Sequence, residues 1–138
     1  MKYRPQFGLR QCENLHSGRD LPEFLVGPFP AEALLKMAHV ARDFHPSRLL
    51  ADSGGPEGLS VHPLWLSGMV EYAFRLIRAK WCIVKMTIDY RAQVYESDVL
   101  RLTILAVNDS GNEQDYSFRI ENPKGTAVAA GEATIALP

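Results

Sequence analysis

Asp43 and His45 are the two side chains of this chain best suited to moving a proton together. They lie in the stretch Ala41-Arg42-Asp43-Phe44-His45-Pro46-Ser47-Arg48, where Pro46 cannot continue a helix. In an extended turn residues i and i+2 point the same way. The carboxylate and the imidazole can then address one substrate atom jointly, or Asp43 can orient the ring of His45. Histidine is the side chain most readily tuned for proton transfer near neutral pH. If Asp43 stands at the end of a helix it meets the negative pole of the helix dipole, an interaction unfavourable by about 0.3–1 kcal/mol. That disfavours the ionised carboxylate and suits a group that must both take and give a proton. The plainer alternatives are an aspartate bonded to backbone in the turn before Pro46 and a histidine bonded across the same turn. Arg48 is always charged and cannot act as a general acid or base. It is either a surface arginine or a group that holds a carboxylate or a developing oxyanion.

Two helices and a run of strands must position these residues. Pro30 opens AEALLKMAHVAR, with proline tolerated in a first helical turn and Leu34, Leu35, Met37, Ala38 and Ala41 on one face. This predicts a helix ending near 42–44, before Pro46. Residues 47–60 read as a loop because Ser-Gly-Gly-Pro-Glu-Gly breaks any regular element. A second helix is expected over 63–78. Its apolar residues occupy most of the circumference, leaving Glu71, Arg75 and Arg78 to call for water. Phe24, Leu25 and Val26, closed by Gly27-Pro28, suit a short strand. Long strands follow over 81–95, 99–107, 116–120 and 126–137, separated by Glu96-Ser97-Asp98, Asp109-Ser110-Gly111-Asn112 and Asn122-Pro123-Lys124-Gly125. Short turns between successive strands imply antiparallel pairing. A sheet can bury a helix apolar on nearly all sides only by curling around it. The expected class is therefore α+β, a hot-dog fold, with residues 1–22 an irregular arm that has room for a short strand and residues 23–138 the domain.

Composition narrows the partners. A chain of 138 residues suits one domain. The net charge of −1, with no Lys/Arg block, offers no surface for tracking phosphates, so no nucleic acid is expected. No apolar run approaches the roughly 20 residues of a membrane helix, and the N-terminus lacks the apolar core of a signal peptide, so a cytoplasmic location is expected. Cys12 and Cys82 form neither a CxxC nor a zinc spacing and read as free thiols. His16 and His39 have no partners at metal-ligand spacing, and no nucleotide or nucleophile-elbow fingerprint occurs. Trp65, Met69 and Tyr72 read as core. Tyr90, Arg91 and Gln93 are either the rim of a substrate tunnel or ordinary residues alternating on a strand.

The stretch after the first helix resembles the MaoC-like dehydratases and R-specific enoyl-CoA hydratases, which carry Asp-x-Asn-Pro-x-His there. The chain matches at Asp43 and Pro46, has His45 where that family has Asn, and has Arg48 where it has the catalytic His. Val61-His62-Pro63-Leu64 corresponds to the family's apolar-His-Gly start of the buried helix. The strand pair over 90–109 and Ala130-Gly131-Glu132-Ala133 also look alike, so the likeness spans roughly 23–137. The resemblance implies a lyase-type reaction on a small acyl thioester or polyketide-like intermediate carried on CoA or an acyl-carrier protein. It implies no cofactor, because the substrate's own carbonyl acidifies its α-proton, and a homodimer resting on an exposed sheet edge. It implies that a backbone N–H at the helix start polarises the carbonyl. Pro63 has none, which leaves the Leu64 N–H as substitute and His62 as either a site residue or a cap. With Arg48 in the place of the family's His, three outcomes stand: His45 takes over the proton role, Arg48 stabilises charge in a diverted isomerisation or cyclisation, or the site is inactive. A non-catalytic hot-dog subunit and a hot-dog thioesterase are the alternative functions.

Overall fold

The computed structural model describes residues 10–12, 21, 23–40, 42, 58–109 and 111–137. In order these form β1 (Arg10–Cys12), β2 (Glu23–Val26), α1 (Ala31–Val40), α2 (Pro63–Ile77), β3 (Cys82–Tyr90), β4 (Leu100–Asp109), β5 (Glu113–Glu121) and β6 (Ala127–Ala136). The six strands make one sheet in the order β1-β2-β4-β5-β6-β3, and every neighbouring pair is antiparallel. β4 to β6 follow one another as a meander because their links are tight turns. At the last of these, the Asn122 side-chain oxygen accepts from the backbone N–H groups of Lys124 and Thr126, both at 3.0 Å. Within the N-terminal arm, Arg10–Cys12 is a strand, in register with Leu25, Phe24 and Glu23.

The inward face of the sheet alternates as the sequence does. Leu100, Leu102 and Ile104 of β4 and Tyr116, Phe118 and Ile120 of β5 are buried, as are Ala129, Ala133 and Ile135 of β6. They pack with Trp65, Leu66, Met69, Val70, Tyr72, Ala73 and Phe74 of α2 in a single core. Each large aliphatic or aromatic side chain buried this way stabilises the fold by roughly 1.5–3 kcal/mol, so α2 is anchored chiefly by packing. Three inward residues of β6, Ala129, Gly131 and Ala133, are small. At Gly131 an added Cβ would fall on the carbonyl oxygen of Thr87 in β3 and within 2.7 Å of the Phe118 ring. Glycine here lets β3 close onto β6 while Phe118 lies across the gap.

Three expectations are corrected in detail. The strand anticipated over 81–95 ends at Tyr90, because the Arg91 and Ala92 N–H groups both turn to the Val128 carbonyl, at 2.8 and 3.3 Å, and the chain then leaves β6. The second helix is not enclosed all round: Leu64 is 55% exposed and Leu76 46%. Leu64 shares with Glu71 and Arg75 the helix side that the sheet does not reach. The first helix stops at Val40. Arg42 follows with a left-handed backbone (φ 54), its N–H donating to the His39 carbonyl at 3.2 Å, a common way for a helix to end. Asp43, expected at the end of this helix, lies outside the described residues.

Candidate functional site

The start of α2 is built by a short antiparallel contact outside the main strands. Ser60 bridges Tyr95. The Val61 N–H donates to the Val94 carbonyl at 2.7 Å and the Glu96 N–H to the Leu59 carbonyl at 2.8 Å. Glu96, part of what reads as a turn, organises the junction. Its side-chain Oε1 accepts from the Leu59 N–H at 2.9 Å, and its carbonyl accepts from the Phe29 N–H at 2.7 Å. Gly58 has φ +85, and a Cβ there would collide with the Glu96 carboxylate. Phe29, just ahead of α1, meets Trp65 of α2 edge-on with ring centroids 5.5 Å apart. The entries to both helices are thereby tied to residues 94–96.

His62 is the N-cap of α2. Its backbone is extended (φ −66, ψ 137), Pro63 follows in the first turn, and the imidazole Nδ1 accepts from the Leu64 N–H at 3.1 Å. The Trp65 N–H donates to the His62 carbonyl at 2.9 Å. Of the two roles open to His62, capping is the one its Nδ1 performs. This revises the role expected of Leu64: its N–H, the anticipated substitute donor for a substrate carbonyl, is taken up by the cap. The extended backbone of His62 folds its ring back over the helix start, where an unsatisfied donor is available.

A cavity of ≈ 290 Å³ opens beside this helix start. Val61, Pro63 and Leu66 form its helix side; Tyr90, Arg91, Ala92, Gln93 and Val94 form the other. The structure thus brings Tyr90, Arg91 and Gln93 to one hollow with Pro63. The Arg91 guanidinium is held by Asp89, Nε to Oδ2 3.1 Å, and the Tyr95 hydroxyl donates to Gln93 Oε1 at 2.9 Å. Tyr95 and Glu96 are the contributors that sequence reading missed. Their sole signal is Ser60-Val61 and Val94-Tyr95 standing as short apolar-polar runs beside turns. Asp43, His45 and Arg48 lie outside the described residues. Trp65, Met69 and Tyr72 are buried, as a core reading requires.

Other hollows differ in kind. One of ≈ 420 Å³ on the outer sheet face is lined by Glu23, Arg101, Arg119 and Glu121. These groups are already matched: Arg101 lies 3.7 Å from Glu23 and Arg119 3.6 Å from Glu121. Another, of ≈ 410 Å³, lies at the far end of α2. Among the described residues no group of three or more His, Cys, Asp or Glu could hold a metal ion. No described helix is long and apolar enough to cross a membrane. Cys82 is an exposed free thiol.

No family model matches the chain, and no curated protein matches it. Solved structures do. The R-hydratase PhaJ1 from Pseudomonas aeruginosa is similar with a TM-score of 0.74 at 20% identity, over 84% of this chain and 78% of that one. An (R)-hydratase from A. caviae involved in PHA biosynthesis is similar with a TM-score of 0.72 at 18% identity, over 92% and 100%. The ChsH1–ChsH2 complex from Mycobacterium tuberculosis is similar with a TM-score of 0.71 at 16% identity, over 86% and 94%. A curled antiparallel sheet around α2, superposable on these structures over most of both chains, is the hot-dog fold.

Proposed function

We propose that this chain is a MaoC-like, lyase-type enzyme that adds water to, or removes it from, the α,β-positions of a small acyl thioester carried on CoA or an acyl-carrier protein. The observation that carries the reading is the cavity at the start of α2, in a fold shared with two R-hydratases. In the dehydration direction Asp43 and His45 remove the α-proton and return a proton to the departing β-hydroxyl, which leaves as water. Hydration runs the same steps backwards. Negative charge collects on the thioester carbonyl oxygen between the two events, and Arg48 balances it. No cofactor is called for, because the carbonyl itself acidifies the α-carbon. Arg48 in place of a second imidazole leaves room for a diverted isomerisation or cyclisation through the same enolate-like intermediate. The test is turnover of crotonyl-CoA and of (R)-3-hydroxybutyryl-CoA by the wild-type chain and by Asp43→Asn and His45→Ala. If neither substitution alters turnover of any thioester while the fold persists, the enzymatic reading is wrong.

The assembly proposed is a homodimer through β3, the terminal strand of the sheet. Antiparallel pairing of two copies about Thr87 sets Lys85 of one opposite Asp89 of the other, twice, and Met86 opposite Ile88. An exposed edge of this kind invites strand pairing, and opposite charges across it specify the register.

A second reading, a non-catalytic hot-dog subunit that partners another chain or binds acyl chains, is favoured by one observation. Pro63 has no N–H, and the Leu64 N–H already bonds His62. Co-purification of a second hot-dog chain, with no thioester turnover, supports it.

A further inference from the structure

The start of α2 presents a carbonyl with few backbone donors. Pro63 lacks an N–H, the Leu64 N–H bonds His62 Nδ1, and the Trp65 N–H bonds the His62 carbonyl. A thioester carbonyl in the adjoining cavity must find its hydrogen bond from another source. Gln93 is in position to supply it. It lines the cavity together with Pro63 and Leu66. The Ser60–Tyr95 bridge and the Val61–Val94 hydrogen bond fix its segment. Counting two residues on from the bridge along each strand sets Gln93 across from His62, the helix cap. Residues i and i+2 share a face of an extended segment, and Tyr95 uses that relation: its hydroxyl donates to Gln93 Oε1 at 2.9 Å. An amide whose oxygen is engaged as an acceptor has its two N–H donors left to offer. Among the described residues the Gln93 side chain makes no other hydrogen bond. Two other side-chain donors stand on this rim, Arg91, whose Nε is on Asp89 at 3.1 Å, and the Tyr90 hydroxyl, but Gln93 is the one set across from the helix start.

We propose that Gln93 is the carbonyl-binding residue of this cavity and Tyr95 its positioning residue. The Gln93 amide N–H donates to the thioester carbonyl oxygen and strengthens that bond as negative charge develops there, in the place of the missing Pro63 N–H. The inference rests on the acyl-thioester reading above. It goes beyond it by moving the oxyanion donor from the helix backbone to a side chain on the opposite wall. A preorganised donor of this kind typically contributes about 100- to 1,000-fold to turnover.

The experiment is difference infrared spectroscopy of crotonyl-CoA labelled with ¹³C at the carbonyl, bound to wild type, Gln93→Met and Tyr95→Phe, alongside steady-state kinetics. In wild type the carbonyl stretch is expected below its position in water. Gln93→Met should return it upward and lower kcat by about 100-fold with a smaller change in KM. Tyr95→Phe should produce a partial return. Gln93 is exposed on the cavity wall and Tyr95 is only partly buried, so the thermal midpoint should hold and exclude misfolding. A wild-type frequency and kcat retained in Gln93→Met overturn the assignment while leaving the acyl-thioester reading standing. Failure of wild type to bind or turn over crotonyl-CoA overturns the acyl-thioester reading, and the role of Gln93 with it.

Discussion

The two ends of α2 both open onto hollows, and the larger is the less equipped for chemistry. At the far end, ≈ 410 Å³ is lined by Glu71, Arg75, Arg78, Trp81 and Cys82, but its charged groups already have partners. Arg75 donates to Glu71 at 2.9 Å. Arg78 donates to Gln114 at 3.3 Å and to the Ile77 carbonyl at 2.9 Å. At the near end, ≈ 290 Å³ is framed by a capped helix start, a tethered arginine and an amide held by a hydroxyl. Volume alone does not select a site. What distinguishes the near end is that polar groups are fixed on several sides and that Gln93, held through its oxygen by the Tyr95 hydroxyl, offers its amide N–H donors across from the helix start.

The contrast can be broken in a graded way. The largest effect is expected at the near end from Asp43→Asn and His45→Ala. Removing a positioned acid or base should lower thioester turnover by about 10² to 10⁴, equivalent to roughly 3–5 kcal/mol of barrier. Stopped-flow or steady-state loss of the conjugated enoyl absorbance measures it. Next comes the link between the ends. Pairing of two β3 strands runs the Cys82 end of one copy alongside the Tyr90 end of the other, so the far end of one α2 approaches the near cavity of its mate. Lys85→Asp replaces two attractive pairs by repulsive ones, and each such pair is worth about 0.2–1 kcal/mol. Sedimentation should show weakened dimers, restored in Lys85→Asp combined with Asp89→Lys. Smaller again is His62→Ala, which removes the cap and should lower stability by about 1 kcal/mol in urea unfolding. Because it also frees the Leu64 N–H, it should restore part of the turnover lost in Gln93→Met, a combination that sharpens the distinction between backbone and side-chain donors. The smallest effect belongs to the far end. Arg75→Ala breaks an exposed pair on a helix surface worth about 0.3–0.5 kcal/mol and should leave turnover unchanged.

Much of the architecture was legible beforehand because it depends on patterns local to each element. Leu100, Leu102 and Ile104 alternate with Arg101 and Thr103, and the structure buries the first set and not the second. The turn at Asn122-Pro123-Lys124-Gly125 forms where its residue types demand it. The near-continuous apolar surface of α2 led directly to a sheet that wraps it. Less legible were the places where two distant segments decide the outcome. The strand expected over 81–95 breaks at Arg91 because Val128, far along the chain, offers a carbonyl to two successive N–H groups. Glu96 reads as a turn residue, yet it joins the entries of both helices.

The candidate site divides along the same line. Residue types, the Asp43–His45 spacing and the absence of an N–H at Pro63 belong to the sequence, since side-chain chemistry and proline's ring are covalent facts. The tethering of the Leu64 N–H by His62 is a local cap, two residues apart in the chain, whereas the meeting of Gln93 with Pro63 across a cavity, built on the Val61–Val94 hydrogen bond, belongs to the tertiary structure alone. A hydrogen bond between residues far apart in the chain exists only once the sheet has closed around α2, and no periodicity in the sequence encodes which donor remains to be used.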